Sequence, residues 1–250
     1  MNSKGCLLAD WPAPTRVRSL ITSRDGGVSL APYASLNLGA HVGDDPLSVA
    51  ENRRRLADHL PASPCWLEQV HGTTLVDAAG LGVAEVPVAD GAFARAPGVV
   101  CAVMTADCLP VLLCDQAGSV VAAVHAGWRG MQAGILERAV EALAVPAVRL
   151  LAYLGPAIGP QAFEVGDEVR NAFLAAHQEA VAAFLPAPQP PAHKWLADIY
   201  LLARQSLRRA GVDAIYGGGS CTLREAQHFF SYRRDGVTGR MAALIWLADV

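Results

Sequence analysis

His71, Cys108 and His125 are the residues whose types could do chemistry together, and that chemistry would be the binding of a divalent ion. Each leaves an apolar stretch and enters a bend marked by glycine or proline: QVHG at 69 to 72, TADCLP at 105 to 110 and VHAGWRG at 124 to 130. Two imidazoles and a thiolate supply three of zinc's four tetrahedral positions and leave one for water or substrate. The thiolate offsets part of the ion's charge, and the ion lowers the pKa of a water in the open position. Wide spacing along the chain favours a catalytic site over a small structural module with short ligand loops. The same atoms admit two other uses. Cys108 could be a nucleophile with His71 or His125 as its base and no metal, or the trio could be structural in a non-enzymatic protein that binds a metal or a partner.

Three residues so far apart meet only if a sheet brings strand ends to one place. Val17 to Thr22 reads as a strand. Asp44 or Asp45 can cap a helix in which Pro46 takes the first turn and Val49, Leu56 and Leu60 form the apolar stripe. CWLEQVHG alternates as a strand ending at His71. Val99 to Met104, Pro110 to Cys114 and Val120 to Val124 are almost wholly apolar, as strands covered on both faces are. Helical patterns follow at Met131 to Leu143, Val165 to Ala176 and Ala197 to Ala210. Strands are expected at Val148 to Leu154, Ala214 to Tyr216 and Ala242 to Trp246. Pro186 to Pro191 reads as a rigid loop, and Gly217-Gly218-Gly219 as a tight turn. Adjacent strands without intervening helices point to an α/β domain with mixed sheets, and no composition shift divides residues 1 to 250.

Composition narrows the function classes. The 250 residues are 52% hydrophobic and 17% charged, with a formal net charge of −3. The dense basic clusters, Arg53-Arg54-Arg55 and Arg233-Arg234, are too small for a nucleic-acid or membrane-surface footprint. No apolar run is long enough for a membrane span. Without an export signal the 6 cysteines are expected as reduced thiols in a cytoplasmic protein. HExxH, GxSxG, P-loop and dinucleotide fingerprints are absent.

The motifs taken in order resemble one family over nearly the full length. They are TSRDGGVS (22 to 29), SLNLGAHVGD (35 to 44), ENRRRL (51 to 56), WLEQVHG (66 to 72), ADG (89 to 91), TADCLPVLLCD (105 to 115), HAGWRG (125 to 130), GPAIGP (155 to 160), EVG (164 to 166), CT (221 to 222) and FFSYRRDGVTGR (229 to 240). This pattern is similar to that of the multicopper polyphenol oxidase, or laccase-domain, family, parts of which are described as purine nucleoside phosphorylases with adenosine deaminase activity. The resemblance implies an α/β/β/α layered arrangement and a zinc site at His71, Cys108 and His125. Copper could bind the same donors. A multicopper centre of the cupredoxin kind, however, draws on HxH and HCH groupings, and this chain has 7 His with no such grouping.

The resemblance further implies phosphorolysis of adenosine, inosine, guanosine and methylthioadenosine, with hydrolytic deamination of adenosine. The implied partners are these nucleosides and inorganic phosphate, acted on by a monomer without nucleic acid or membrane. Glu68, Asp90 or Asp107 could shuttle the proton in deamination. Arg24, Arg129, Arg233 and Arg234 are candidates to hold phosphate, Arg129 having the best position. Asn37 could hydrogen-bond substrate, Trp128 and Phe230 could stack on the purine, and Cys221 and Thr222 could line the pocket. The metal-free cysteine reading keeps its own substrate class, cell-wall precursors, because the family has also been associated with peptidoglycan fidelity.

Overall fold

The most apolar runs of the chain form the middle of its larger sheet. The computed structural model describes residues 6–82, 85–188 and 193–249. Its first strands are β1 (Cys6–Leu7), β2 (Val17–Thr22), β3 (Leu75–Asp77), β4 (Gly91–Ala94), β5 (Cys101–Thr105), β6 (Leu109–Asp115), β7 (Val121–Ala126) and β8 (Leu150–Leu154). They are followed by β9 (Glu164–Gly166), β10 (Phe184–Pro186), β11 (Lys194–Ala197), β12 (Ala214–Gly217) and β13 (Met241–Leu247). The helices are α1 (Pro46–Ala57), α2 (Trp128–Gln132), α3 (Ile135–Ala142), α4 (Asp167–Ala176), α5 (Ile199–Arg209) and the short α6 (Tyr232–Asp235).

The six-stranded sheet has the order β12-β8-β6-β7-β4-β3, parallel at both edges and antiparallel in the middle. Every residue of β6 and β7 is buried, which is why these strands show no polar alternation. One face of the sheet, with Leu109, Val111, Leu113 and Val124, packs on Ile135 and Leu136 of α3, Phe173 of α4 and Leu202 and Leu207 of α5. The other face, with Leu112, Cys114, Val121 and Ala123, meets Val17, Cys101, Val103 and Ile245 of a four-stranded sheet ordered β1-β2-β13-β5. Behind that second sheet, Leu20, Ala102 and Leu244 pack on Leu36, Leu38 and Leu56. The layers are therefore α/β/β/α, as the family resemblance implied, with the mixed pairing that the strand pattern led one to expect. No helix among the described residues is long and apolar enough to cross a membrane.

Several boundaries differ from the sequence reading for local physical reasons. Residues 65 to 72 make isolated bridges at Cys65 and Glu68 rather than a strand. There the Gln69 side chain takes over the role of a ladder partner, bonding both backbone groups of Met104 at 2.7 and 2.8 Å. The helix expected over 131 to 143 is two helices, α2 and α3, broken where Gly134 adopts φ 92°. A 3₁₀ turn at Ala147–Arg149 shortens the strand expected from Val148. Val165 belongs to β9, so α4 starts at Asp167. Asp198 caps α5 by accepting from Leu201 N–H, which delays that helix past Ala197. Pro186 ends β10 and opens the expected proline-rich loop, whose residues 189 to 191 lie outside the described residues. Asp45 caps α1 with Pro46 in its first turn, as expected.

Candidate metal centre

His125 sits near the end of β7, opposite Pro110 of β6, and Cys108 lies in the turn between β5 and β6. His71 comes from the bridge-only segment and has φ 60°, and Asp107, just before Cys108, has φ 99°. Left-handed backbone at non-glycine residues costs on the order of 1 to 3 kcal/mol, so the surrounding bonds must hold it. Asp107 is held on three sides. Its carboxylate accepts Thr222 Oγ1 and Arg233 N–H, each at 2.6 Å, and its carbonyl accepts Ile158 N–H at 2.9 Å.

The turn at His71 is held by one buried carboxylate. Asp90, with no exposed surface, accepts the N–H groups of Val70, His71 and Gly72 at 3.2, 2.9 and 2.6 Å. Its Oδ1 also receives Nδ1 of His125 at 2.8 Å. That bond fixes the tautomer and leaves Nε2 of His125 to bind an ion, as in carboxylate–histidine–zinc arrangements. The ligand atoms of His71, Cys108 and His125 lie within 4.8 Å of one another, and Cys108 Sγ is 3.8 Å from His71 Nε2. A tetrahedral zinc with ordinary bond lengths needs its ligand atoms roughly 3.3 to 3.6 Å apart. A modest contraction closes the site, so these residues fit such an ion. Among the described residues they form the one group of three or more His, Cys, Asp or Glu that meets this test.

Gly127 makes the close approach possible. A Cβ there would stand 2.9 Å from His71 Cδ2 and 3.2 Å from Cys108 Sγ. Electrostatics tie the trio together as well. Burial alone would raise the pKa of Cys108, but the neighbouring His125 and His71 outweigh it and bring the thiol down to about 6. Burial would lower His125, yet the Cys108 thiolate and the Asp90 carboxylate raise it to about 9. Asp90 is held below its ordinary value: burial pushes it up, and the hydrogen bonds from His125 and Gly72 more than compensate. The metal-free protein therefore holds a thiolate–imidazolium pair, and a cation arriving there displaces the imidazolium proton.

The trio opens onto a cavity of about 500 Å³, inside the range of about 300 to 1,000 Å³ for small-molecule sites. Of the residues singled out in the sequence, His71, Cys108, His125, Asp107, Trp128, Arg129 and Arg233 line it. Others do not. Glu68 is exposed outside it, and Asp90 lies behind His125, where it orients ligands. Arg24 donates to Ala34 and Ala226 carbonyls at 3.0 and 2.9 Å, and Arg234 to the carbonyls of Thr222, Leu223 and Phe229, so both staple loops. Phe230 has no exposed surface, which leaves no face for a purine. Thr222 is buried and supports Asp107, Cys221 Sγ accepts Gly159 N–H at 3.2 Å, and Asn37 is fully buried. The sequence reading missed His41, Gln69, Tyr232 and Arg240, which do line the cavity. The only signal for them was that each stands inside or beside a motif already noted.

Comparison with known proteins agrees with this architecture. The chain is 57% identical over 243 residues to a purine nucleoside phosphorylase of Pseudomonas aeruginosa, covering 97% of this chain and 98% of that one. It is 55% identical to the purine nucleoside phosphorylase YfiH of Escherichia coli over 96% and 98% of the two chains. A Neisseria meningitidis crystal structure described as DUF152 superposes with TM-score 0.95 at 52% identity, covering 98% and 100%. YlmD of Geobacillus stearothermophilus superposes with TM-score 0.87 at 33% identity, covering 100% and 98%. The profile described as multi-copper polyphenol oxidoreductase laccase matches residues 18–248, although a single three-donor group does not make a multicopper centre. With its fold and nearly its whole length in common with these proteins, the chain belongs to that laccase-like family.

Proposed function

We propose that this chain cleaves purine nucleosides with inorganic phosphate and also deaminates adenosine, with a divalent ion, zinc by preference, at His71, Cys108 and His125. The observation that carries the reading is one cavity of about 500 Å³ lined by the donor trio together with Arg129, Arg233 and Arg240. The names borne by relatives that share more than half of its sequence support the same substrate class. Adenosine, inosine, guanosine and methylthioadenosine all offer a purine on a ribose carbon, so one pocket serves them.

In phosphorolysis a phosphate oxygen bonds to ribose C1′ while the C1′–N9 bond breaks. The electron pair goes to the purine, which takes up a proton. The arginines neutralise phosphate, and the cavity wall excludes water that would compete as nucleophile. In deamination a water oxygen bonds to C6 of adenosine and ammonia leaves. Asp107 is the carboxylate on the cavity wall, so the proton passing to the leaving nitrogen is assigned to it. The ion, when bound, supplies Lewis acidity and a nucleophilic water at neutral pH.

Chromatographic product analysis on protein of measured metal content tests both halves. Inosine should release hypoxanthine and a ribose phosphate only when phosphate is present, and adenosine should yield inosine in a chelator-sensitive way. Release without phosphate would mean hydrolysis. Activity that survives complete metal removal but not Cys108 alkylation would favour the metal-free cysteine enzyme.

A further inference from the structure

We infer that the phosphate oxygens are seated by Arg240, with His41 beside it, and that Asn37 is the residue that positions Arg240; this rests on the phosphorolysis proposed above. Three arginines line the cavity, and none makes an ion pair among the described residues. Two of them are committed to surface packing. Arg129 is exposed, with its guanidinium 4.4 Å from the centre of the Trp128 ring. Arg233, also exposed, gives Nη1 to the Glu164 carbonyl at 2.7 Å and lies 5.5 Å from the Phe163 ring centre.

Arg240 differs from both. It is half-buried, its guanidinium lies 5.9 Å from the centre of the Tyr232 ring, and its hydrogen bonds to protein leave only from Nη1, to the carbonyls of Thr238 and Gly239 at 3.0 and 3.1 Å. Its Nε and Nη2 have no partner among the described residues, and neither is among the buried atoms sealed without one. That leaves the Nε–Nη2 edge of the fork unspent on a residue that lines the cavity, and such an edge can grip a phosphate through two parallel bonds. Burial holds Arg240 below the usual arginine range even though Cys108 and Asp107 nearby pull it up, so this cation is under-solvated and gains from an anion. His41 is lowered by burial, then by the positive fields of Arg240 and Arg53, which marks an excess of positive potential on this wall. Arg240 also lines the same cavity as the donor trio, so a phosphate held there shares that space with a nucleoside bound in it.

Asn37 explains how the guanidinium is held there. Its Oδ1 accepts Arg240 N–H and Gly39 N–H, each at 2.9 Å, and its Nδ2 donates to Asp44 at 2.9 Å and Gly39 O at 3.2 Å. Leu38 N–H donates to the Arg240 carbonyl at 3.1 Å. Gly39 packs so closely that a Cβ there would stand 2.8 Å from Arg240 Cγ. The loop from Asn37 to His41 thus clamps the arginine from below and carries the histidine at its end.

The test is a titration with inorganic phosphate alone, followed by ³¹P line broadening or calorimetry, on protein of measured metal content. Wild type should bind, Arg240→Gln should bind about 10- to 100-fold more weakly, and Arg240→Lys should fall between. The phosphate KM should rise by the same factor while the nucleoside KM shifts by less than about 2-fold. Asn37→Ala should raise the phosphate KM in the same direction with an unchanged metal content, a split that simple loss of fold would not give. No phosphate binding by wild type would overturn the assignment, as would a loss confined to Arg129→Gln. Phosphate bound through Arg240 without any nucleoside cleavage would instead sink phosphorolysis and leave the anion seat standing.

Discussion

Replacing Asp90 with asparagine keeps the volume of the side chain but changes what it can accept. The carboxylate takes four donors: three backbone N–H groups of the His71 turn and the ring N–H of His125. In the substituted side chain one terminal oxygen becomes an NH₂ group, which then faces donors on its side of the cradle. Either the His125 and His71 bonds or the Val70 and Gly72 bonds are lost, along with the negative charge. A hydrogen bond to a charged group is worth about 1.5 to 3 kcal/mol, or about 10- to 150-fold. Loss of a group that orients a metal ligand ordinarily weakens metal binding by about 10- to 100-fold. Asp90→Asn should therefore weaken zinc binding by about 10- to 100-fold, measured by competition with a chromophoric chelator, with native far-UV circular dichroism. An affinity within about 2-fold of wild type would refute the idea that this carboxylate sets the ligand geometry.

Three further outcomes follow from the same structure. Gly127→Ala should lose metal affinity in that competition assay, because its Cβ would press on His71 and Cys108 at 2.9 and 3.2 Å; wild-type affinity would show that the trio can yield. In metal-free protein Cys108, its thiol lowered to about 6, should be alkylated fast at pH 7 and slowly only as pH falls through about 6. Cys65 and Cys114, raised by burial to about 11 and about 12, should stay slow, and zinc should protect Cys108; peptide mapping after iodoacetamide decides, and labelling of Cys108 no faster than theirs would contradict the pairing. Arg24→Ala should lower stability by about 2 kcal/mol in urea titration, through loss of its charged donors to two carbonyls, while leaving the nucleoside KM unchanged. A raised KM with full stability would return Arg24 to the substrate site.

The central strands and the donor residues at their ends were legible in the sequence for related reasons, whereas the α/β/β/α layering and the choice of a metal site came from the family resemblance. Strands buried on both faces leave uninterrupted apolar runs, so β5, β6 and β7 announce themselves, and a cysteine or histidine at their ends stands out by contrast. The segment leading to His71 misled because its alternation is real but serves side-chain bonding: Gln69 substitutes for a ladder, and Asp90, twenty residues on from Val70, replaces a strand partner. Arginine roles were not legible. Whether a guanidinium faces ligand or carbonyl depends on loops far away in sequence, as Arg24 with Ala226 shows. Asn37 was assigned to substrate because a polar residue in a glycine-bearing loop gives no hint that all its bonds are spent on Gly39, Asp44 and Arg240.

Zinc-edge X-ray absorption on the metal-loaded protein addresses the shared ion most directly. One sulfur at about 2.3 Å and two imidazole nitrogens at about 2.0 to 2.1 Å, with a light fourth scatterer, is the expected shell. Cys108→Ser should remove the sulfur contribution. A shell without sulfur, or one unaltered in that variant, would mean that His71, Cys108 and His125 do not hold a common ion.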